Sequence, residues 1–150
     1  LLLSITECVP AASLQNGTDW WVLDAKGKLL EQGGENMGLQ YAVVTGLTPI
    51  LPSAGAKLAV GEENSGKLRS LTQLLSALRE RGMTDKVSAI DLSGVATLTL
   101  RYDGRFTVEL PMTTDFSRGV WRLGEGMALM ESNESGYLDL TGDKGYFRPD

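Results

Sequence analysis

A helix, a strand hairpin, a second helix and a closing strand follow one another through the last two-thirds of this chain. That order constrains the fold more than any other feature. Leu68, Leu71, Leu74, Leu75 and Leu78 recur at helical spacing on one face, so a helix is predicted over Lys67–Arg81. Asn64 or Ser65 is placed to cap its start. Gly82 suits the position just past its end, after Arg79 and Arg81 in the last turn. KVSAIDLS (Lys86–Ser93) and TLTLRYDGRFTVEL (Thr97–Leu110) then read as strands, the second as a hairpin. A three-residue loop, Tyr102-Asp103-Gly104, pairs Leu100 with Phe106 and Leu98 with Val108, whereas a two-residue loop mixes apolar with polar on each face.

Phe116, Val120, Leu123, Met127 and Met130 recur at steps of four and three, predicting a second helix within Thr114–Glu131. Gly119, Gly124 and Gly126 lie inside it, each less favourable than Ala by about 0.5–1 kcal/mol. Packing on the sheet must therefore hold this helix, and a bend or break is expected near Gly124. Tyr137-Leu138-Asp139-Leu140 is the last strand, and Tyr146–Pro149 reads as a short extended tail. The result is an α+β fold: a mixed, largely antiparallel sheet with two main helices packed on it. A strand so near the C-terminus offers an edge where another chain could pair, which is the mark of a binding module.

The first third is richer in turns. Leu3, Ile5 and Glu7–Val9 suit a strand ending at Pro10, and Ala11–Gln15 can continue it before the Asn16-Gly17 turn. Asp19–Asp24 and Lys28–Glu31 flank Ala25-Lys26-Gly27 as a hairpin. Trp20 and Trp21 are adjacent, so in a strand they face opposite ways, one to the core and the other either covered by a neighbouring segment, the favoured reading, or exposed for a partner. Gln32–Leu39 reads as a loop and Tyr41–Thr45 as a β-branched strand. Pro49 and Pro52 make Gly46–Gly55 an extended, irregular connection.

Composition narrows the chemistry. The 150 residues can bury about two-thirds of their unfolded surface, enough for one core. A net charge of −5 without a basic run disfavours nucleic acid. The chain has no histidine, which removes the commonest general base and the commonest metal ligand. Cys8 is the sole cysteine and reads as a small buried hydrophobe, with no internal disulfide or multi-Cys zinc site open to it. No stretch is long and apolar enough to span a bilayer. The first residue is Leu rather than Met, which reads as an excised piece of a longer chain, so any membrane anchor of the parent protein would fall outside this sequence.

Several motifs fail on mechanism. Gly61-Glu62-Glu63-Asn64-Ser65-Gly66-Lys67-Leu68 nearly spells a phosphate-binding loop, but Leu68 replaces the magnesium-binding hydroxyl. Glu62 and Glu63 also put like charge where phosphates would sit. Asn16-Gly17-Thr18 and Asn133-Glu134-Ser135 match the glycosylation pattern but are ordinary turn sequences. Gly124-Glu125-Gly126 lacks the third glycine of a dinucleotide loop. Asp91, Asp103, Asp139 and Asp143 stand at strand ends and turns, and nothing selects an acid–base pair among them. No catalytic, cofactor-binding or metal residue is assigned.

The order and wording of these elements resemble the extracytoplasmic region of the bacterial cell-division family FtsQ, called DivIB in Gram-positive bacteria. Its E-x-x-P-x-A segment reads here as Glu7-Cys8-Val9-Pro10-Ala11-Ala12, and its V/L-D-x-x-G hairpin as Val22-Leu23-Asp24-Ala25-Lys26-Gly27. Thr45-Gly46-Leu47-Thr48-Pro49 is similar to the connection before the family's leucine-rich helix. Ile90-Asp91-Leu92-Ser93, Leu98–Gly104 and Leu138-Asp139-Leu140 are similar to its closing strands.

The resemblance implies a single-pass parent protein with a transmembrane helix, a POTRA domain and then a β domain on the extracytoplasmic face of the cell membrane, at the division septum. Residues 1–15 would be the end of the POTRA domain and residues 16–150 the β domain. It further implies a non-catalytic scaffold of the divisome that supports septum formation by binding FtsB- and FtsL-like partners through strand addition. Carried over by position, the partner surface comprises Tyr137, Leu138, Asp139, Leu140, Thr141, Gly142, Lys144, Tyr146 and Phe147. Gly142 stands where Gram-negative members place an aromatic residue, so Tyr146 and Phe147 take the role of aromatic anchor. Two other classes compete with this reading. One is a peptide- or lipid-binding domain of another envelope assembly protein; the other is a carboxylate-dependent hydrolase needing two acidic side chains in one pocket.

Overall fold

The computed structural model describes residues 9–112, 116–142 and 144–149. Leu1–Cys8, with the expected first strand and the lone cysteine, lies outside the described residues, as do Thr113–Asp115, Asp143 and Asp150. The described residues form one nine-stranded mixed sheet in the order β3-β2-β1-β4-β5-β6-β7-β8-β9. Its strands are β1 (Pro10–Asn16), β2 (Asp19–Asp24), β3 (Leu29–Gly33), β4 (Ala42–Thr45), β5 (Val87–Asp91), β6 (Thr97–Tyr102), β7 (Phe106–Pro111), β8 (Gly136–Asp139) and β9 (Tyr146–Pro149). The helices are α1 (Glu35–Gly38), α2 (Ser65–Glu80) and α3 (Ser117–Ala128). The pairs β1–β4, β4–β5 and β7–β8 are parallel and the rest antiparallel. The α+β architecture and the two main helices are those read from the sequence.

The core forms where the leucine stripe of α2 meets the sheet. Leu71, Leu74, Leu75 and Leu78 are buried with Leu98, Leu100, Phe106 and Val108, and Leu68 packs against the same cluster half-buried. Arg81 caps the end of α2. Gly82 follows at φ 66°, its N–H bonded to the Arg79 carbonyl and the Met83 N–H to the Leu78 carbonyl, a glycine-terminated stop. At the other end the expected side-chain cap is not made. Ser65 Oγ donates instead to the Glu62 carbonyl across the short turn Glu62–Asn64. Trp21 joins the core, and Trp20, on the opposite face, is covered by α1, where a Cβ on Gly38 would strike its indole ring.

Two family-like motifs acquire physical reasons. Asp24 Oδ1 accepts from the backbone N–H groups of Lys26 and Lys28, both at 2.9 Å, and Gly27 takes φ 85°, so the D-x-x-G sequence is a self-bonded hairpin turn. Gly46, at φ 92°, lies so close to Leu92 and Ser93 that a side chain would collide with their backbone. Beside it Thr45 Oγ1 donates to Asp91, and the Leu92 N–H donates to the Thr45 carbonyl.

The structure corrects five further expectations. The β6–β7 hairpin pairs Tyr102 with Phe106, Leu100 with Val108 and Leu98 with Leu110, turning through Asp103-Gly104-Arg105 rather than Tyr102-Asp103-Gly104. Asp103 and Gly104 both take positive φ, and buried Tyr102 extends the strand as a third core pair. The segment read as a loop from Gln32 carries the end of β3 and the short α1. Pro10 begins β1 instead of ending a strand. The helix α3 runs unbroken through Gly119, Gly124 and Gly126, and at Gly119, where a Cβ would sit 3.3 Å from Leu110, the small residue permits close packing on the sheet. Last, Tyr146–Pro149 is not a tail but a strand, β9, and it forms the edge of the sheet.

A candidate partner-binding edge

The C-terminal edge is assembled by short-range contacts from three directions. Arg105 donates to the carbonyls of Glu131 and Glu134 through Nη1, pairs with Asp103 at 2.9 Å and lies over the Phe106 ring. It thereby ties the segment leading into β8 to the β6–β7 turn. Arg122 of α3 donates to the carbonyls of Leu140 and Gly142, fixing the turn after β8. Phe147 of β9 packs edge-on against Phe106 at 6.0 Å between ring centroids, and Arg148 lies over the ring of Tyr137.

Strand β9 can close on β8 because Gly136 has no side chain, since a Cβ there would run into the Arg148 carbonyl and lie 2.9 Å from Pro149 Cα. Asp139 accepts from the N–H and hydroxyl of Thr141, and these two bonds, the hydroxyl's the stronger, hold its carboxyl below the usual carboxylate range. Asp91 is lowered in the same manner by the Ser93 hydroxyl and N–H.

The direction of the backbone groups follows from two bonds. Gly136 N–H donates to Arg105 and Leu140 N–H to Glu109, so the even-numbered amides of β8 point at β7. Tyr137 and Asp139 therefore face β9, opposite Arg148 and Tyr146. By the alternation of antiparallel ladders, Phe147 and Pro149 then point outward, and Pro149 has no N–H. One outward donor, the Phe147 amide, with the carbonyls beside it, is what β9 offers to an incoming strand. The opposite edge is less open. Leu29 of β3 already exchanges bonds with Ala56 and Gly55, and Leu58 bonds to Gly27.

The predicted site residues fall into distinct environments. Leu138 and Leu140 are each 5 % exposed and belong to the core. Tyr137, Asp139 and Phe147 are half-buried. Thr141, Gly142, Lys144 and Tyr146 are exposed, Tyr146 at 66 %. Leu138–Thr141 thus lies next to the free edge, and β9 is the edge itself. Sequence reasoning missed Arg105, Arg122 and Arg148, whose partners come from other elements. Among the described residues no group of three His, Cys, Asp or Glu is placed to hold a metal. The near-phosphate loop is a helical turn in which Glu63 folds across Gly61.

These features define an α+β domain on one mixed sheet, ending on an exposed C-terminal strand. The family profile of cell division protein FtsQ/DivIB, C-terminal, matches residues 12–140, and the chain belongs to that family of cell-division proteins. No curated protein sequence and no solved structure gives a significant match. The family match ends at Leu140, so β9 lies beyond it. Membership implies a membrane-anchored protein that acts in the divisome through protein–protein contacts. No helix of the described residues is long and apolar enough to cross a membrane.

Proposed function

We propose that this chain is the partner-binding part of a non-catalytic divisome scaffold, whose FtsB- and FtsL-like partners add a strand along the C-terminal edge formed by β8 and β9. The observation that carries the reading is the exposed β9 edge, with the Phe147 amide directed outward and Tyr146 uncovered beside it. Pairing a strand there satisfies open backbone groups, and alternate side chains supply selectivity. Tyr137, Asp139, Thr141, Gly142, Lys144, Tyr146 and Phe147 form the contact surface. Leu138 and Leu140 support it from the core. On this reading residues 1–15 are the end of an upstream POTRA domain, and Pro10–Asn16 lie within the sheet between β2 and β4. The parent protein sits on the extracytoplasmic face of the membrane, its transmembrane helix upstream. A hydrolase reading gains nothing from the geometry, since Asp91 and Asp139 are each engaged in their own turn.

The test compares Phe147→Pro with Phe147→Ala for binding to a soluble FtsB–FtsL complex. Both lose the ring, but only proline removes the outward donor while leaving the β8 bonds in place. The proline variant should bind about fivefold more weakly than the alanine one, as expected for one backbone bond of about 1 kcal/mol. Equal affinity would place the partner elsewhere.

A further inference from the structure

Resting on the edge-pairing reading above, we infer that the docking surface continues from β9 across a cleft onto the outer face of α3. There the pairing partner lays an apolar segment over Trp121 and Leu129. The first observation is a shortage of surface. Four residues of β9 span about 13 Å, whereas a stable interface covers roughly 800 Å² on each partner. A strand added to β9 cannot supply that alone, so the partner must touch whatever adjoins the edge.

What adjoins it is apolar and open. A cleft of about 260 Å³ runs between α3 and the end of the sheet, with Trp121 on one wall, Phe147 on the other and Leu138 and Leu140 lining it. Glycines keep it open. A Cβ on Gly126 would lie 3.7 Å from Leu138 and one on Gly145 3.0 Å from Leu140, so larger residues there would fill the space. Helix α3 turns Val120 and Leu123 to the core, yet its outward side carries Trp121, and Ala128 follows seven residues on, about 10 Å along the helix. Leu129 ends the stripe. Trp121 is 48 % and Leu129 84 % exposed, two of the large uncovered apolar side chains of the domain. A single exposed leucine is ordinary, but an indole sharing a cleft with the edge strand makes an apolar patch, bordered by Arg122 and Glu125, which also line the cleft. Gly126 of this helix, with Gly145, thus forms part of the floor of a docking groove. The partner element that fits is an extended strand whose helix-facing side chains are apolar and which continues over α3.

Tryptophan accessibility reads this directly. Trp20 and Trp21 are buried, so Trp121 is the accessible one of the three. Acrylamide quenching of the intact chain should report Trp121, and Trp121→Phe should abolish the quenchable fraction. Saturation with an FtsB–FtsL complex whose own tryptophans are replaced by phenylalanine should remove that fraction. Trp121→Ala and Gly126→Leu should each weaken binding about tenfold or more, as loss of a hot-spot aromatic or of its groove does. Both variants should keep the thermal midpoint of the parent within a few degrees. Full quenching of Trp121 in the saturated complex would overturn the inference. If Phe147→Pro still binds more weakly than Phe147→Ala in that case, the edge reading stands without it. Equal binding of those two variants would remove both.

Discussion

Leu138→Ala and Tyr146→Ala, eight residues apart in the same predicted surface, should have opposite signatures. Leu138 is 5 % exposed, faces Val108 on β7 and Phe147 on β9, and lies under Gly126 of α3. Truncating a buried leucine costs about 2–5 kcal/mol, the spread reflecting how far neighbours collapse into the space. At the end of the sheet, Phe147 and the four-residue β9 can settle inward, which favours the lower part of the range, about 2–3 kcal/mol. For a domain of this size that lowers the melting temperature by roughly 5–10 °C. Tyr146 is 66 % exposed, so its removal should change stability by no more than about 0.5 kcal/mol. As an aromatic anchor it should instead cost about 2 kcal/mol of partner binding, close to thirtyfold in Kd. Urea unfolding with both variants, and calorimetric titration with an FtsB–FtsL complex, measure the two axes separately. A Tyr146→Ala variant that melts as early as Leu138→Ala, or binds as tightly as the parent, would refute the division into support and contact.

Three further outcomes are expected. The chain should not bind ATP with magnesium, because Glu62 and Glu63 flank the glycine loop and Leu68 holds the hydroxyl's place; saturable nucleotide binding abolished by Lys67→Ala would contradict this. Gly46→Ala should be among the most destabilising single-methyl additions, by more than about 2 kcal/mol in urea, since the methyl meets the backbone of Leu92 and Ser93 and the position has φ 92°. Asp91 and Asp139 are held below their ordinary value of 3.8 when folded, so their stabilisation is complete above that value and fades as pH falls through the lower folded values. The acid limb of a stability–pH curve should therefore be shallower for Asp91→Asn and Asp139→Asn than for the parent.

How far the fold could be read depends on the range of each signal. The leucine stripe of α2 repeats over three turns and ends on Gly82, so periodicity and punctuation agree and the helix is legible. The hairpin faces were legible too, but its register was not. Shifting the pairing by two residues leaves the same side chains on the same face, and only the burial of Tyr102 separates the alternatives. Strand β9 was missed because Gly145, Arg148 and Pro149 dilute any alternation in four residues. Its strand character comes from β8, from the space left by Gly136 and from Phe147 meeting Phe106. At the candidate site, the run from Tyr137 to Phe147 leads to the strand and turn beside the free edge of the sheet. It could not show that Leu138 and Leu140 point inward, nor that Trp121, more than a dozen residues upstream, shares their cleft. Gly119 and Gly126 of α3 read as defects in the sequence because the residues they pack on, Leu110 and Leu138, lie on distant strands.

Amide hydrogen exchange of the intact chain, free and saturated with a soluble FtsB–FtsL complex, tests the partner edge most directly. Slowed exchange concentrated in Tyr137–Pro149 and led by the Phe147 amide is the predicted result. Unchanged exchange across that segment, with slowing along β3 or another surface, would contradict it.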